Sequence, residues 1–508
     1  MVRATCLEGK VLQPLARGCS MTIFGQPTCK THWNFRHRDL PLADTYCYSN
    51  KCDCNAIVAI RNRCLQAFPP NVAFAPGHLR PMLGLARHLG RLVAANHRRV
   101  EFHEWGKRYT GRKLQRYLRA VRSLQFRPIT PGDSHINAFV KVEKVSDPSK
   151  DPRVIQARSA RFNVSIGCYL KTFEHKLYSL SGDGKFLPTG RLIAKGLSQV
   201  GRAYWLERHC EKFPRFSAFE LDCSRWDAHV TVEALRVEHA VYCAANREPE
   251  LRSLCSMQLR NRCHYNSRTC QIDYTSVGRR MSGDMNTALG NCVLMVLFCK
   301  RAMDELGVPV GGWTMLDDGD DCTLIVDRQY EELVSRELVR VFCEFGQELK
   351  IAKIARRIED IEMCGCRIVR TARHTVMVLD PRRLFGKFSV SYGMQTQTRR
   401  RYRMVGQCYM AAYAGVPVIQ EFASTLLRFY PKDVEVVGNW VYKWNANKEY
   451  GQSVVPVTDE ARQSFREAFG VSAADQVLLE TAWRCSYARL RAAVARAAAR
   501  DVGINEYC

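Results

Sequence analysis

The sequence predicts an α+β protein: an antiparallel sheet backed by helices, followed by a mostly helical C-terminal region. Three observations predict it. Short apolar runs alternate with amphipathic stretches through the middle of the chain, Ser217–Asp222 reading as a buried strand and Gln329–Phe345 as an amphipathic helix. Trp313–Val326 holds two apolar runs joined by Asp317-Asp-Gly-Asp-Asp321, and Asp-Gly between such runs marks a tight hairpin because glycine accepts the positive φ the turn needs. Near the C-terminus Leu479, Trp483, Tyr487, Leu490 and Val494 recur at three- and four-residue spacing, a packing stripe on one helix.

The 508 residues are 46% hydrophobic and 25% charged, which is enough for a large core in several subdomains. Lys and Arg outnumber Asp and Glu by 76 to 50, giving a formal net charge of +26 and pointing to a polyanionic partner, nucleic acid before membrane. The 23 cysteines, an odd number spread along the chain, read as reduced thiols in a cytosol-like compartment. Cys47, Cys52, Cys54 and Cys64, with His32 and His37 upstream, do not follow a standard zinc-finger spacing, so ordinary thiols are the expectation there. The longest apolar stretch, Cys292–Cys299, is too short to span a bilayer, and the N-terminus lacks the apolar core of a signal peptide.

Along the chain, residues 1–125 form a basic region rich in Cys and His. Leu114–Leu124 is helical and basic, and Pro128, Pro131 and Gly132 break it. Ile136–Lys144 alternates like a strand, Pro152–Gln156 is extended, and Asn163–Tyr178 is helical. A turn and a helix at about Ala228–Ala245 follow the Ser217–Asp222 strand, then a helix over Asp284–Met303. After the hairpin and the Gln329–Phe345 helix, Arg356–Val369 and His374–Leu379 are strand-like. Residues 126–375 are one region and 376–508 a mostly helical one.

Four carboxylates around Gly319 repel one another and ask for a cation, and a turn of hard oxygens on a rigid hairpin suits Mg²⁺. Asp222 ends an apolar strand and Asp227 follows it. If that strand lies beside the hairpin, Asp222 and Asp320 face each other and can bridge two metal ions roughly 3.5–4 Å apart, the arrangement used for in-line phosphoryl displacement. Between them, Gly278-Arg-Arg-Met-Ser-Gly-Asp-Met-Asn-Thr287 places a pliant Ser282–Gly283 loop before a helix. There Asn286 and Thr287 can bond sugar hydroxyls or a template, or Asp284 simply caps the helix.

Asp222-x4-Asp227, Ser282-Gly-Asp-Met-Asn-Thr287 with Asn291, and Gly319-Asp-Asp321, in this order, resemble motifs A, B and C of a viral RNA-dependent RNA polymerase. Pro152–Asn163, Asn137–Lys144 and Asp459–Gly470 are similar to tombusvirus-like positive-strand RNA viruses, and the resemblance covers about residues 130–480. It implies a right-hand fold with fingers, palm and helical thumb, and Mg²⁺ as cofactor, with Mn²⁺ as a substitute. Asp222 and Asp320 would be the main metal ligands and Asp321 a secondary one; Asp227 and Asn286 would recognise the ribose. Ser282, Gly283 and Thr287 would position template and nucleotide, and Lys141, Lys144, Arg153, Arg158 and Arg161 would line the triphosphate entry. Lys350 stands where the family carries a general acid, with Lys353 a rival, unless it merely ends a helix. Met363-Cys-Gly-Cys366 resembles the motif E turn. Relatives carry uncharged residues before Gly-Asp-Asp, whereas Asp317 and Asp318 stand here, read as solvated.

The function so implied is template-directed RNA synthesis from NTPs, with an RNA template and product and a membrane-associated viral replication partner, in the host cytoplasm. A reverse transcriptase is the second reading, opposed by Asp227 and Asn286. A non-catalytic RNA-binding or coat protein is the third; it explains the charge but not the acidic pair.

Overall fold

The computed structural model describes residues 2–3, 6–7, 9–30, 33–36, 45–94, 98–391, 398–429 and 453–485. The chain divides into two compact units. One comprises Met1–Asn34, Thr45–Lys195 and His209–Arg356; the other comprises Phe35–Asp44, Gly196–Arg208 and Arg357–Cys508.

In chain order the first unit carries β1 (Ser20–Gly25), α1 (Asp53–Ala59), α2 (Pro76–Ala94), α3 (Gly111–Phe126), β2 (Ile136–Val140), β3 (Val154–Ala157) and α4 (Ala160–Tyr178). It continues with β4 (Phe216–Cys223), α5 (Val232–Ala245), β5 (Arg260–Asn266), β6 (Cys270–Val277) and α6 (Thr287–Glu305). Then come β7 (Trp313–Asp317), β8 (Asp321–Asp327), α7 (Glu331–Glu344) and β9 (Leu349–Ala355). Two sheets result. A four-stranded sheet runs β7-β8-β4-β9 and is antiparallel throughout; a five-stranded sheet runs β1-β6-β5-β2-β3.

The five-stranded sheet departs from the antiparallel expectation at one place. β5 pairs β2 in parallel, Cys263 against Ile136, because the chain leaves β2 and returns to its side only after the long excursion through β3 to α5. The basic N-terminal region is built into this sheet through β1, which pairs β6 from Cys270↔Gly25 to Thr275↔Ser20.

Every residue of β7 is buried, as is the Cys322–Val326 run of β8, so these strands read as continuous apolar runs and not as alternation. α6 is apolar almost all round. Leu289, Leu294, Leu297 and Phe298 lie with Met315, Leu324 and Phe219 in one core. Each such side chain contributes about 1.5–3 kcal/mol on burial, which anchors the strands that bear the acidic residues. α6 begins at Thr287, three residues later than expected, because Met281–Asn286 is a loop closed by its own hydrogen bonds. The expected Ala228–Ala245 helix is broken at Val230, and α5 restarts with Thr231 accepting from the Ala234 amide.

The second unit holds the hairpin β10 (Cys366–Arg370) and β11 (Thr375–Leu379), then α8 (Pro381–Ser389), α9 (Thr398–Tyr413), α10 (Ile419–Phe429) and α11 (Asp459–Phe469). Its core gathers Val376, Phe388, Phe422, Phe465 and Trp483. Met363–Cys366 is a tight turn, with Cys364 and Gly365 at φ 54 and 73 and the Met363 amide donating to the Cys366 carbonyl. Of the C-terminal stripe, Trp483 is buried and Leu479 is exposed at its edge; Tyr487, Leu490 and Val494 lie outside the described residues, as do His32 and His37. Among the described residues no helix is long and apolar enough to cross a membrane.

Candidate active site

β4 lies between β8 and β9, and the register decides what meets what. Asp222 is the cross-strand partner of Asp321 on one side and of Lys350 on the other. Directly opposed residues of an antiparallel pair stand about 5 Å apart at Cβ. Lys350 is therefore on a strand and not at a helix end, since α7 stops at Glu344.

The β7–β8 turn is closed by the Asp318 amide donating to the Asp321 carbonyl (2.8 Å) and the Gly319 amide donating to Asp317 Oδ1 (2.8 Å), with Gly319 at φ 100. Here the expectation for the two leading aspartates is corrected: neither is solvated. Asp317 is fully buried, burial holds its carboxyl well above the usual carboxylate range, and its Oδ1 closes the turn. Asp318 pairs with Lys195 Nζ at 2.6 Å. The Leu192–Ala194 segment clamps the hairpin through backbone bonds in both directions with Asp317. Of the four carboxylates, Asp320 and Asp321 are the two exposed at the turn.

Asp320 lines a cleft of about 550 Å³ together with Asp222, Asp227, Ser282, Gly283, Thr287 and Asn291. Although its side chain reaches solvent, the cleft desolvates it, and Asp227 and Asp321 add repulsion; its pKa is pushed up to about 6. The donor set fits Mg²⁺: hard carboxylate oxygens on two hydrogen-bonded strands, with a repulsion that a cation would relieve. The sign of the linkage follows. A folded-state pKa above the unfolded value stabilises the fold below about pH 4, and that contribution is lost as pH rises through about 6. Asp320→Asn is expected to stabilise the metal-free protein at pH 7.5 by on the order of 1 kcal/mol, after allowance for solvent screening. In thermal unfolding with EDTA the gain should vanish near pH 4; a constant gain across pH would refute this origin.

Asp227 is held rigidly. Its Oδ2 accepts from Ser282 Oγ and its Oδ1 from Asn291 Nδ2 at 3.2 Å. Asn291 Oδ1 in turn accepts from Arg280 Nε (2.9 Å), and Arg280 forms a fully buried ion pair with Glu238 at 2.5 Å. The backbone around the cleft is unusual: Arg225 and Arg279 occupy the left-handed region at φ 49 and 70, a conformation uncommon outside glycine. Gly283 meets a different demand. A Cβ there would stand 2.6 Å from the Gln156 carbonyl oxygen, so the loop can lie against β3 only without a side chain.

Several expected residues are placed differently. Asn286 is wholly buried and donates to Glu238 Oε1 (2.7 Å); Asn291, one turn into α6, is the amide that reaches Asp227. Asp284 does not cap α6 but accepts from Arg158 Nε (2.5 Å) and Gln258 Nε2 (2.9 Å). Arg158 is buried on Asp284, Asn261 and the Ser134 carbonyl and is not available to a triphosphate. Arg161 spends its guanidinium on Asp133, Ser123 and the carbonyls of Arg127 and Pro128. Lys144 sits in a short strand paired with Cys47, away from the cleft lining. Thr287 Oγ1 donates to the Met281 and Asp284 carbonyls, so it shapes the loop.

Lys141 and Arg153 do line the cleft, both paired with Glu143. Arg63 lines it too, carried there by a π-helical turn, Ile60–Cys64, that continues α1. Arg63, Glu238, Arg280 and Lys195 carried no role in the sequence reading. The one available signal was a pair of basic clusters, Arg61-Asn-Arg63 and Gly278-Arg-Arg280.

Residues 25–488 match the family model described as viral RNA dependent RNA polymerase. The chain is 33% identical over 420 residues to the RNA-directed RNA polymerase of Turnip crinkle virus, covering 80% of the chain and 53% of that protein. It is 36% identical over 388 residues to that of Tomato bushy stunt virus (strain Cherry), covering 73% and 46%. With that of Carnation mottle virus the figures are 33% over 425 residues, covering 80% and 53%. The chain spans about half the length of the curated relatives it matches.

Proposed function

Because this chain belongs to the viral RNA-dependent RNA polymerase family, we propose that it copies an RNA template into RNA from NTPs, replicating the genome of a positive-strand RNA virus. One observation carries the reading. The strand register sets Asp222 against Asp321, and the same cleft holds Asp222, Asp320, a rigidly bonded Asp227 and basic side chains. In this reading the four-stranded sheet is the palm, the five-stranded sheet belongs to the fingers, and residues 376–508 form the thumb; residues 1–125 extend the fingers.

Asp222 and Asp320 would be the main ligands of two Mg²⁺ ions, replaceable by Mn²⁺, and Asp321 a secondary one. When bound, such a pair supplies electrostatic stabilisation to the attacking 3′-oxygen and the departing pyrophosphate. The remaining work falls to side chains that bind and orient. Arg153, Lys141 and Arg63 receive the triphosphate. Asp227, fixed by Ser282 and Asn291, accepts a hydrogen bond from the ribose 2′-hydroxyl, and this separates NTP from dNTP. Positioning and preorganised charge account for most of the rate. A membrane-associated viral replication protein is the proposed partner, in the host cytoplasm.

Lys350, on β9 directly opposite Asp222 of β4, is proposed to protonate the pyrophosphate as it leaves. Lys350→Ala should lower the maximal rate of incorporation about 10–100-fold with little change in apparent NTP affinity. An unchanged maximal rate in Lys350→Ala, with the loss found in Lys353→Ala instead, would transfer the role to Lys353.

The function itself is tested by the choice of substrate on one defined RNA template. NTP incorporation should follow the template base, and dNTPs should be disfavoured by wild type but less so by Asn291→Ala. Equal use of NTPs and dNTPs by wild type would overturn the reading in favour of a DNA-making palm enzyme.

A further inference from the structure

Four cysteines from three separate chain segments converge at the start of α1. The Sγ atoms of Cys6, Cys52 and Cys54 all lie within 4.8 Å of one another, Cys6 and Cys52 at 3.2 Å. Cys29 Sγ stands 3.0 Å from Cys6 Sγ. None of the four belongs to the apolar core beneath the five-stranded sheet, where Cys263 and Cys270 are ordinary buried thiols. Cys29 is exposed, Cys6 and Cys54 are half-buried and Cys52 is fully buried, so the group sits at the boundary of the fold, open on one side.

The residues beside each cysteine are tied to one another by bonds that do not involve sulfur. The Leu7 amide donates to Asn55 Oδ1 at 2.9 Å, which docks Cys6 against α1. The Thr28 amide donates to Asp53 Oδ2 at 2.9 Å, and the Asp53 amide donates to the Thr28 carbonyl, which docks Cys29 there as well. Asp53 Oδ1 also accepts from Tyr265 and Oδ2 from Thr269, fastening the whole assembly to the β5–β6 hairpin. The cysteines are therefore presented by a polar framework that would hold them together without any sulfur–sulfur attraction. The framework thus preorganises the thiols before any ion is bound.

We propose that Cys6, Cys29, Cys52 and Cys54 bind one structural zinc ion. Four thiolates at about 2.3 Å from a tetrahedral zinc stand about 3.8 Å apart; Cys6, Cys52 and Cys54 already lie within 4.8 Å of one another, and Cys29 joins them through its 3.0 Å approach to Cys6. Zinc is the expected ion because soft thiolates select it and a closed four-sulfur set leaves no open position for chemistry. Cys52 precedes the first turn of α1 and Cys54 lies within it, so the helix fixes the spacing of these two thiols. Cys47 and Cys64, in the same stretch of sequence, are excluded: burial pushes their thiols up to about 11 and about 12, and neither joins the cluster. The ion would pin the chain before β1 to the helix whose continuation delivers Arg63 to the cleft.

The test uses the full-length, untagged chain purified under reducing conditions after expression with added zinc. Elemental analysis should find about one zinc per chain in wild type and in Cys47→Ser, and almost none in Cys52→Ser/Cys54→Ser. Wild type refilled with Co²⁺ should show the thiolate-to-metal charge-transfer band and tetrahedral ligand-field bands. Cys29→Ser, altered at an exposed position that leaves the core intact, should weaken both. The proposal is overturned by wild-type protein without zinc, by iron with acid-labile sulfide in its place, by a disulfide between any two of the four, or by an unchanged cobalt spectrum in Cys29→Ser. Asp320→Ala should keep its zinc, so the outcome is independent of the polymerase assignment.

Discussion

Asp222→Asn and Asp320→Asn are each expected to slow single-nucleotide extension by at least about 10³-fold, and Asp321→Asn by about 10-fold. A 10³-fold loss corresponds to about 4 kcal/mol of transition-state stabilisation, the scale of removing one principal electrostatic contact from a preorganised site. Asparagine keeps the shape and removes the charge, so strand register and core should survive. The ranking follows from placement: Asp222 and Asp320 both line the cleft, whereas Asp321 opens β8 beside it. Rapid-quench extension at saturating NTP, with far-UV circular dichroism as the control for folding, measures all three. A loss of equal size in Asp321→Asn would mean that the hairpin contributes both its terminal carboxylates as principal ligands.

Glu238→Ala is expected to destabilise the protein by about 3–5 kcal/mol although Glu238 touches no substrate. Its carboxylate is fully buried against Arg280 and also accepts from Tyr242 and Asn286. Its removal leaves a guanidinium uncompensated in the core, and breaking one side of a buried pair costs far more than the pair contributes. The reciprocal follows: Glu238→Leu combined with Arg280→Met should be less destabilising than Glu238→Ala alone. Glu238→Gln keeps the volume and should fold. It should nonetheless relax NTP-over-dNTP selection, because Arg280 orients Asn291 and Asn291 orients Asp227. Urea denaturation gives the stability ranking. If Glu238→Gln selects against dNTPs as strongly as wild type, the relay does not set the position of Asp227.

The acidic pair was legible in sequence because both of its carriers are local signals: an apolar run ending in Asp222, and two apolar runs joined through Asp-Gly. What could not be read was which side chains the fold would turn inward. Asn286 and Asn291 are both amides near one helix start. Since the helix begins only at Thr287, Asn286 falls toward Glu238 and Asn291 toward the cleft. Arg158 and Arg161 look like free basic residues until Asp284, Asp133 and Ser123 arrive from elsewhere in the chain to occupy them. Asp317 and Asp318 made the hairpin conspicuous, yet one is buried beneath the turn and Lys195 pairs with the other. The parallel pairing of β5 with β2 depends on a contact between residues far apart in sequence, which no local periodicity encodes. The N-terminal region's edge strand and Arg63 were not legible because their contributions are positional.

The central claim is that Asp222 and Asp320, which line one cleft beside the Asp222–Asp321 strand pair, make this chain an RNA-templated RNA polymerase. The most direct test is RNA synthesis by the purified chain on a defined template, with Mg²⁺ and NTPs, beside Asp320→Ala prepared in parallel. Product complementary to the template, dependent on the divalent ion and absent from the variant, is the predicted result. Wild-type incorporation by Asp320→Ala would contradict it.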